Sequence, residues 1–371
     1  MYNYGQSQPH EEVNAVHPYK SLPSHAFWKH AVAGGTAFST EKMWDPKFQI
    51  SESDNIATYG SCFAQHFGRA LEARGLNWFR PEVPVFGMSK ANLTSYGYNL
   101  FSSRTGNIYT TSQMLQWIEW AADPKKYPSE IWCKNGRYFD SIRPTLEPNG
   151  FASEEEVVTA RSVTCAAFHR SITQSQIFVF TLGLTESWVN KKQGFEYGIC
   201  PSPANFEPDS HEFKNMSYPE VEAALAEAIS KLRAMNPDLK ILLTVSPVPL
   251  VATASGKHVL AATTHSKAIL RAVAGQAAAD YEFVDYFPSF EIINNPMSRG
   301  VFFEQNMRSV NDVGVSCVMD TFFTAQSQKF GSPPTKGAPR ERAQSSALDE
   351  KLTDDDIVCE EELLSAFGDG K

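Results

Sequence analysis

The sequence predicts an α/β domain built on a parallel, doubly wound sheet. Two observations favour this fold class. Short, continuous apolar runs recur along the chain, as expected of strands that helices cover on both faces. Stretches with helical periodicity separate these runs, and a parallel pair of strands needs a long, right-handed crossover of this kind.

Four apolar runs are the predicted strands, and they cover residues 56–59, 176–182, 240–245 and 283–287. The predicted helices cover residues 64–73, 111–121, 154–172, 219–235, 265–279 and 310–323. The third helix opens with acidic residues in its first turn, where the helix dipole favours negative charge. Strand and helix therefore alternate along the chain in the order that a doubly wound sheet requires.

The central domain, residues 51–326, is flanked by two segments of different composition. Residues 1–50 are rich in proline, histidine and aromatic residues and are predicted to form an irregular arm on the domain surface. Residues 327–371 are rich in proline, glycine, lysine and serine and then in acids, so this tail is predicted to be disordered. Its end, residues 357–367, mixes acids with leucines and a phenylalanine, and the alternative is a short helix that docks on a surface the sequence does not identify, with an unknown protein as one candidate contact of the tail.

Composition excludes several classes of function. The chain has 371 residues, a formal net charge of -9 and a pI near 5.5, which argues against nucleic acid as a partner and favours a small-molecule or neutral polymer substrate. Its six cysteines lack the spacing of a metal site or a disulfide framework, and no metal or other cofactor is predicted. The polar first 20 residues do not resemble a signal peptide, and no apolar run has the length of a membrane span. We therefore expect a cytoplasmic protein.

Ligands of a doubly wound sheet bind beyond the carboxyl ends of its strands. The segments that follow the four predicted strands are residues 60–61, 183–188, 246–249 with His258 beyond them, and 287–291. Ser61 stands between a predicted strand and a predicted helix, where N–H groups and the helix dipole favour developing negative charge. This position predicts a nucleophile, although the G-x-S-x-G spacing of α/β-hydrolases is absent.

Residues 60–64, Gly-Ser-Cys-Phe-Ala, spell the signature of the GSCFA family. Four further segments resemble its other recurring blocks, at residues 106–110, 183–188, 246–249 and 287–292. The resemblance covers about residues 18–325. The family is regarded as a relative of the SGNH/GDSL hydrolases, so the resemblance implies a three-layer α/β/α sandwich. It also implies a serine-dependent esterase or O-acyltransferase that acts on an ester or thioester, for which a carbohydrate is one acceptor.

The resemblance implies roles for single residues. Ser61 matches the nucleophile of the superfamily. The residues that match its oxyanion-hole and substrate-binding blocks are Gly106, Asn107, Gly183, Thr185 and Glu186. A preorganised oxyanion donor lowers an acyl-transfer barrier by about 3–4 kcal/mol. The third block ordinarily carries asparagine where this chain has Thr185, whose hydroxyl reaches less far than an amide.

The general base departs from the superfamily pattern. An Asp-x-x-His pair usually precedes the last helix, whereas residues 306–309 read Asn-Met-Arg-Ser. A serine hydroxyl is a weak nucleophile without a base. His258 is the predicted substitute, with His66, His265 and the absence of a base as alternatives. Glu291 is interpreted either as the acid that orients this base or as an ion-pair partner on a loop, and Glu186 is open to the same two interpretations.

Several neighbouring side chains have two interpretations each. Arg308 cannot act as a base, because a guanidinium stays protonated, but it can bind an anionic group. Cys62, beside the serine, is interpreted as a core residue in preference to a thiol nucleophile. Two roles are predicted for Trp188, Tyr197 and Phe206. One is an aromatic wall that binds a sugar or an acyl chain, and the other is ordinary core packing.

Two classes of function remain from the sequence alone. The first is the serine esterase or O-acyltransferase, in which water or a hydroxyl acceptor takes the acyl group. The second is a non-catalytic or degenerate binding protein that keeps the pocket of the fold after losing the base. A hydrogen bond between Ser61 and a histidine is expected of the enzyme and is not required of the binding protein.

Overall fold

The computed structural model describes residues 17–84, 86–331 and 364. The strands are β1 (Ile56–Gly60), β2 (Ile131–Lys134), β3 (Arg137–Asp140), β4 (Ile177–Leu182), β5 (Glu186–Asn190), β6 (Phe195–Glu196), β7 (His211–Asn215), β8 (Lys240–Val245) and β9 (Val284–Tyr286). The α-helices are α1 (Phe63–Ala73), α2 (Lys90–Ser95), α3 (Thr111–Ala122), α4 (Glu154–Thr173), α5 (Tyr218–Met235), α6 (Val259–Asp280), α7 (Ser289–Asn294) and α8 (Asp312–Phe330).

The four predicted strands form one parallel sheet in the order β1, β4, β8, β9. Alternate residues of each strand point to opposite faces, where they enter two separate apolar cores. Phe178 and Phe180 pack in the core beneath α3, α4, α5 and α6, whereas Ile177 and Val179 pack in the core beneath α1, α7 and α8. Helices thus cover both faces, and the domain is a three-layer α/β/α sandwich, as predicted.

The outer side of β1 is paired as well, although only briefly. Ile56 N–H donates to the carbonyl of Asn77 at 3.0 Å, and Phe79 N–H donates to the carbonyl of Ile56 at 2.9 Å, around a parallel bridge to Trp78. The chain therefore passes first to one side of β1 and then to the other side, where it continues through β4. Such a reversal is a topological switch point, and we call the region beyond the carboxyl ends of β1 and β4 the crevice, because ligands of doubly wound folds bind at such points.

A smaller antiparallel layer was not predicted. In it β5 pairs with both β6 and β7, and β2 and β3 form a separate hairpin. These strands are short and many of their residues are polar or only partly buried, so they lack the continuous apolar run that marked the central strands. β5, β6 and β7 follow β4, whereas β2 and β3 lie in the connection between α3 and α4. Both groups of strands form walls beside the crevice.

Two helix predictions also needed correction. The helix predicted from residue 265 is α6, which begins at Val259 because His258 caps its amino end. Residues 289–294, interpreted as loop, form the short helix α7. None of the helices in the described part of the chain combines the length and the apolar character that crossing a bilayer requires.

The predicted arm contributes to the core directly before β1. Trp44 stacks on Phe322 of α8 at a centroid distance of 5.1 Å, and Phe48 and Ile50 are buried in the same core. Gln326 ties this segment to α8, since its side chain accepts from Ile50 N–H at 3.2 Å and donates to the Phe48 carbonyl at 3.1 Å. Helix α8 extends to Phe330, beyond the predicted domain end at 326. The rest of the predicted disordered tail, apart from Leu364, and the first 16 residues lie outside the described residues.

A buried ionic cluster holds the β2–β3 hairpin to α4. Asp140 accepts from Arg143 Nε at 2.8 Å and from Arg161 Nη2 at 3.0 Å, and the hydroxyl of Tyr127 donates to the same carboxylate at 3.1 Å. The Asp140 and Arg143 side chains are 0% and 1% exposed. Burial alone would raise the pKa of Asp140, but the two guanidinium groups outweigh it and hold the pKa below its ordinary value.

Candidate functional site

Ser61 lies at the crevice, in the turn from β1 to α1. Its N–H donates to the carbonyl of Thr181 at 3.3 Å, and its carbonyl accepts from Ala64 N–H at 2.8 Å as α1 begins. The residue is 3% exposed, and its Oγ has no hydrogen-bond partner among the described residues. Buried hydroxyls are nearly always paired, and a functional site is one of the recognised reasons for an exception.

Three of the sequence blocks meet around this serine. Gly183 packs so closely that a Cβ there would lie 3.0 Å from the Cβ of Ser61 and 3.1 Å from the Tyr109 carbonyl. That carbonyl accepts from the N–H groups of both Gly183 and Leu184 at 2.9 Å. Ile108 N–H donates to the carbonyl of Gly60 at 2.8 Å, which joins the second block to the first. The structure thus assembles the first, second and third blocks at one point.

The predicted oxyanion residues lie at this junction with different partners. Asn107 is buried, and its Oδ1 accepts from Gln65 Nε2 of α1 at 3.3 Å. Gly106 has a φ of 69°, a left-handed conformation that favours glycine. The hydroxyl of Thr185 donates to Asn215 Oδ1 at 2.8 Å, so it must leave this partner before it can donate to an oxyanion.

Glu186 is tied to the neighbouring strand and loop. Its Oε1 accepts from Thr253 Oγ1 at 2.8 Å and from Asn215 Nδ2 at 3.4 Å. Asn215 in β7 therefore connects Thr185 with Glu186, a role that sequence analysis missed. Nothing in the local sequence could have indicated it, because the partners are about 30 residues apart and pair only when β5 and β7 come together.

A buried lysine was also missed. Lys267 of α6 is 2% exposed, and its Nζ donates to the carbonyl of Gly183 at 2.6 Å. Lysine in a helix is normally a surface residue, so the sequence pattern gave no reason to select it. Lys267 places a hydrogen-bond donor directly behind the Gly183 turn that contacts Ser61. Its hydrogen bond fixes the direction of this peptide plane next to the candidate nucleophile.

The structure brings none of the described histidines into hydrogen-bonding contact with Ser61 Oγ. His258 is exposed, and its Nδ1 accepts from Leu260 N–H at 3.2 Å as the cap of α6. His258 thus ends the loop at the start of α6, and its role as the base stays a prediction. His265 lies on the exposed side of α6, and His66 is half-buried on α1 beside the ring of Phe63.

Glu291 belongs to an ion pair. Its carboxylate pairs with Arg271 of α6 and accepts from the hydroxyl of Tyr286 at 2.8 Å. Among the described residues no histidine hydrogen-bonds to it, so the structure does not place Glu291 as the acid that orients a base. An ion pair was the second of the two interpretations of Glu291 from the sequence. Glu291 itself lies on α7, where a loop was expected.

The position expected for the Asp-x-x-His pair holds an amide and a hydroxyl. Asn306 Nδ2 donates to Ser309 Oγ at 3.0 Å, and Asn306 Oδ1 accepts from the N–H groups of Arg308 and Ser309 at 2.9 Å each. Neither side chain can take up a proton at neutral pH. Between them, the buried Arg308 donates from Nε to the carbonyl of Pro249 at 3.2 Å and thereby brings a permanent cation to the fourth block.

The pKa of His66 is lower in the folded protein than the ordinary histidine value. Burial and the neighbouring Arg69 lower its pKa to about 4. A histidine whose pKa is lower in the folded than in the unfolded state stabilises the fold above about pH 6.5, and this contribution is lost as the pH falls towards 4.

We expect an NMR titration to show a neutral His66 imidazole from pH 8 down to about pH 5. The variant His66→Gln is expected to lose unfolding free energy less steeply than the wild type between about pH 6.5 and 4. Urea unfolding at several pH values measures that slope. A His66 midpoint near the ordinary histidine value would contradict the expectation.

Two connected cavities open beside the third block, and we call them together the aromatic groove. The inner cavity, of about 230 Å³, is lined by Tyr109, Leu184 and Glu186. The outer cavity, of about 770 Å³, lies between the β2–β3 hairpin and the segment after β6, and prolines and aromatic rings line it. Both are lined by Trp188, Ile199, Cys200 and Leu364. The combined size is that of a small-molecule site.

The three aromatic residues singled out in the sequence all line this groove. Trp188 lines both cavities, Tyr197 the inner one and Phe206 the outer one. Trp188 and Phe206 meet edge to face, with ring centroids 5.3 Å apart. In the described part of the chain, no three histidine, cysteine or acidic side chains are grouped so as to hold a metal ion.

The sequence model of the GSCFA family matches residues 55–322, nearly three quarters of the chain. This range includes Ser61, all five sequence blocks and the groove residues up to Phe206. A comparison with curated proteins gives no match.

Proposed function

This chain belongs to the GSCFA family, and on that premise we propose that it is a serine-dependent esterase or O-acyltransferase. The observation that carries the proposal is the buried Oγ of Ser61, which has no hydrogen-bond partner among the described residues and lies at the crevice between β1 and β4. Its Oγ attacks the carbonyl carbon of an ester or thioester, and its proton passes to a base. The alcohol or thiol leaves with a proton, and water or a hydroxyl acceptor then releases the acyl group.

The surroundings of Ser61 support a developing oxyanion. The amino end of α1 lies at the serine, and the positive end of its dipole favours negative charge there. The second block contributes Gly106 and Asn107 beside it, and Lys267 holds the Gly183 turn by donating to its carbonyl. The aromatic groove, which begins at Tyr109 next to this junction, accepts the apolar part of an acyl group or the face of a sugar ring.

Two histidines, His258 and His66, are the candidate bases, and each has a feature that opposes this role. When His258 Nδ1 accepts from Leu260 N–H, the neutral ring carries its proton on Nε2 and has no free lone pair for the serine proton. A base role for His258 therefore requires the loss of this cap. His66 is neutral at physiological pH, but a pKa of about 4 makes it a weak base.

A serine-reactive fluorophosphonate tests the proposal. We expect intact mass to show one adduct per wild-type chain and peptide mapping to locate it at Ser61, and we expect no adduct on Ser61→Ala. Ser175→Ala is a matched control, because the Ser175 hydroxyl is also buried without a partner but lies before β4, at the opposite edge of the sheet. Separate His258→Ala and His66→Ala variants identify the base by loss of labelling. An unlabelled wild-type chain would count against an activated serine.

A second candidate is a non-catalytic binding protein on the same fold. The Asn306–Ser309 pair at the expected base position favours it, as does the lack of any described imidazole on Ser61. A binding protein should give equal affinities for acyl esters in wild type and Ser61→Ala, with no turnover in either. Calorimetric titration together with an assay of ester cleavage separates the two functions.

A further inference from the structure

A leucine from near the end of the chain lies in the aromatic groove. Leu364 is half-buried and lines both the inner and the outer cavity. It follows the last described residue of the domain, Gly331, by 33 positions. The groove is thus contacted by a part of the chain that belongs to neither the central sheet nor its covering helices.

We propose that the C-terminal segment, residues 357–367, docks on the domain of its own chain through Leu364 and occupies the aromatic groove. The outer cavity suits this segment chemically. Its aromatic and proline lining matches an apolar side chain. Its described lining includes Lys134 and no carboxylate, while the segment carries Glu360, Glu361 and Glu362 directly before its two leucines.

The tether allows docking within one molecule. Thirty-three residues can extend to roughly 100 Å at about 3.3 Å per residue, which exceeds the width of a domain of this size. A tethered segment is present near its site at an effective concentration on the order of millimolar. A contact made through one leucine is therefore populated within the chain, although the same segment would bind weakly as a separate partner.

The position of Leu364 has a consequence for ligands. It stands where the outer cavity joins the inner one, beside Trp188 and Cys200. The inner cavity continues to Tyr109 and Leu184, which contact the Gly183 turn at Ser61. A ligand that reaches the serine through the groove must displace the segment. This consequence rests on the proposed function, whereas the docking itself does not.

Alkylation of Cys200 tests the docking without any assay of activity. Cys200 lines both cavities together with Leu364, and the exposed Cys133 on β2 serves as a reference in the same molecule. Burial raises the pKa of Cys200 to about 11, so labelling by N-ethylmaleimide is followed at a fixed mildly alkaline pH and expressed relative to Cys133. Peptide mass spectrometry separates both from Cys359. Continued protection of the buried Cys165 shows that the fold is intact.

In the full chain, we expect Leu364→Asp to raise the relative labelling rate of Cys200 about fivefold or more, because labelling follows the fraction of molecules with an open groove. Leu364→Met and Leu352→Asp are expected to label like the wild type, the second because it introduces the same charge elsewhere in the tail. A synthetic peptide of residues 352–371 with Cys359→Ser should slow the labelling of the Leu364→Asp variant again at millimolar concentration.

Two results would overturn the proposal. Equal Cys200 labelling in wild type and Leu364→Asp would mean that Leu364 does not occupy the groove. Protection that appears only as the protein concentration rises would mean that a second copy supplies the leucine. Neither result bears on whether a fluorophosphonate labels Ser61, so the docking and the proposed function fail independently.

Discussion

The variant Asp140→Asn is expected to lose about 3–5 kcal/mol of unfolding free energy, because it leaves two buried guanidinium groups without their counter-charge. The amide keeps the shape of the side chain, so the loss reports charge and hydrogen bonding more than packing. Arg143 and Arg161 would each lose an ionic acceptor on a carboxylate that is 0% exposed. Urea unfolding followed by tryptophan fluorescence measures the change.

A matched control is Asp320→Asn, which removes an ion pair with Arg74 on the surface. The Asp320 side chain is 62% exposed, and exposed pairs contribute at most about 1 kcal/mol. Similar small losses in both variants would mean that the buried cluster contributes no more than a surface pair.

Acid titration gives a second measurement on Asp140. Its pKa is lower in the folded protein than the ordinary 3.8, so its ionisation stabilises the fold above that value, and this contribution is lost as the pH falls below it. The Asp140→Asn variant lacks this proton uptake. Its unfolding free energy is therefore expected to fall less steeply below about pH 4 than that of the wild type.

The variant Gly60→Ala is expected to destabilise the domain by on the order of 3 kcal/mol or more and to abolish fluorophosphonate labelling of Ser61 in molecules that still fold. A Cβ at Gly60 would lie 2.4 Å from the carbonyl oxygen and 2.8 Å from the nitrogen of Thr181, at a φ of 141°. Because these are backbone atoms of the neighbouring strand, the clash is relieved only when the end of β1 moves away from β4. That movement separates Ser61 from Gly183.

The control for this variant is Gly75→Ala, at the end of α1. Gly75 also has a positive φ, 81°, but a Cβ added there would meet no atom within 4 Å beyond its immediate chain neighbours. Its cost is therefore the conformational one alone, about 1 kcal/mol. Unfolding free energies and labelling of both variants are compared with the wild type. Normal labelling of a stable Gly60→Ala protein would show that the serine does not depend on this close strand contact.

The central sheet was predictable because each of its strands is buried on both faces. The apolar runs that end before Gly60, Gly183 and Ser246 have no polar face, so each run by itself indicates a strand covered on both sides. The antiparallel strands around Glu186 were not predictable in the same way, because their pairing, more than their composition, makes them strands.

The candidate site was predictable only where its residues follow strands. Ser61 and Gly183 are brought together by the register of two parallel neighbours, which the order of elements already implies. Lys267 and Asn215 contribute through contacts between elements 30 to 84 residues apart, and no local pattern carries such information. The residue type of His258 does not distinguish its local role as a helix cap from a catalytic role.

The hydrogen bonds between Gln326 and the segment that includes Ile50 join positions 276 residues apart. The core on the α1 side of the sheet is consequently incomplete until α8 exists, since Phe67 of α1 packs directly against Phe322 of α8. During synthesis, an emerging chain carries β1 and α1 long before α8 can cover them. We therefore expect the domain to complete its folding only after nearly all of it has left the ribosome. The helix that begins beside Ser61 therefore has its core completed only when α8 packs against it.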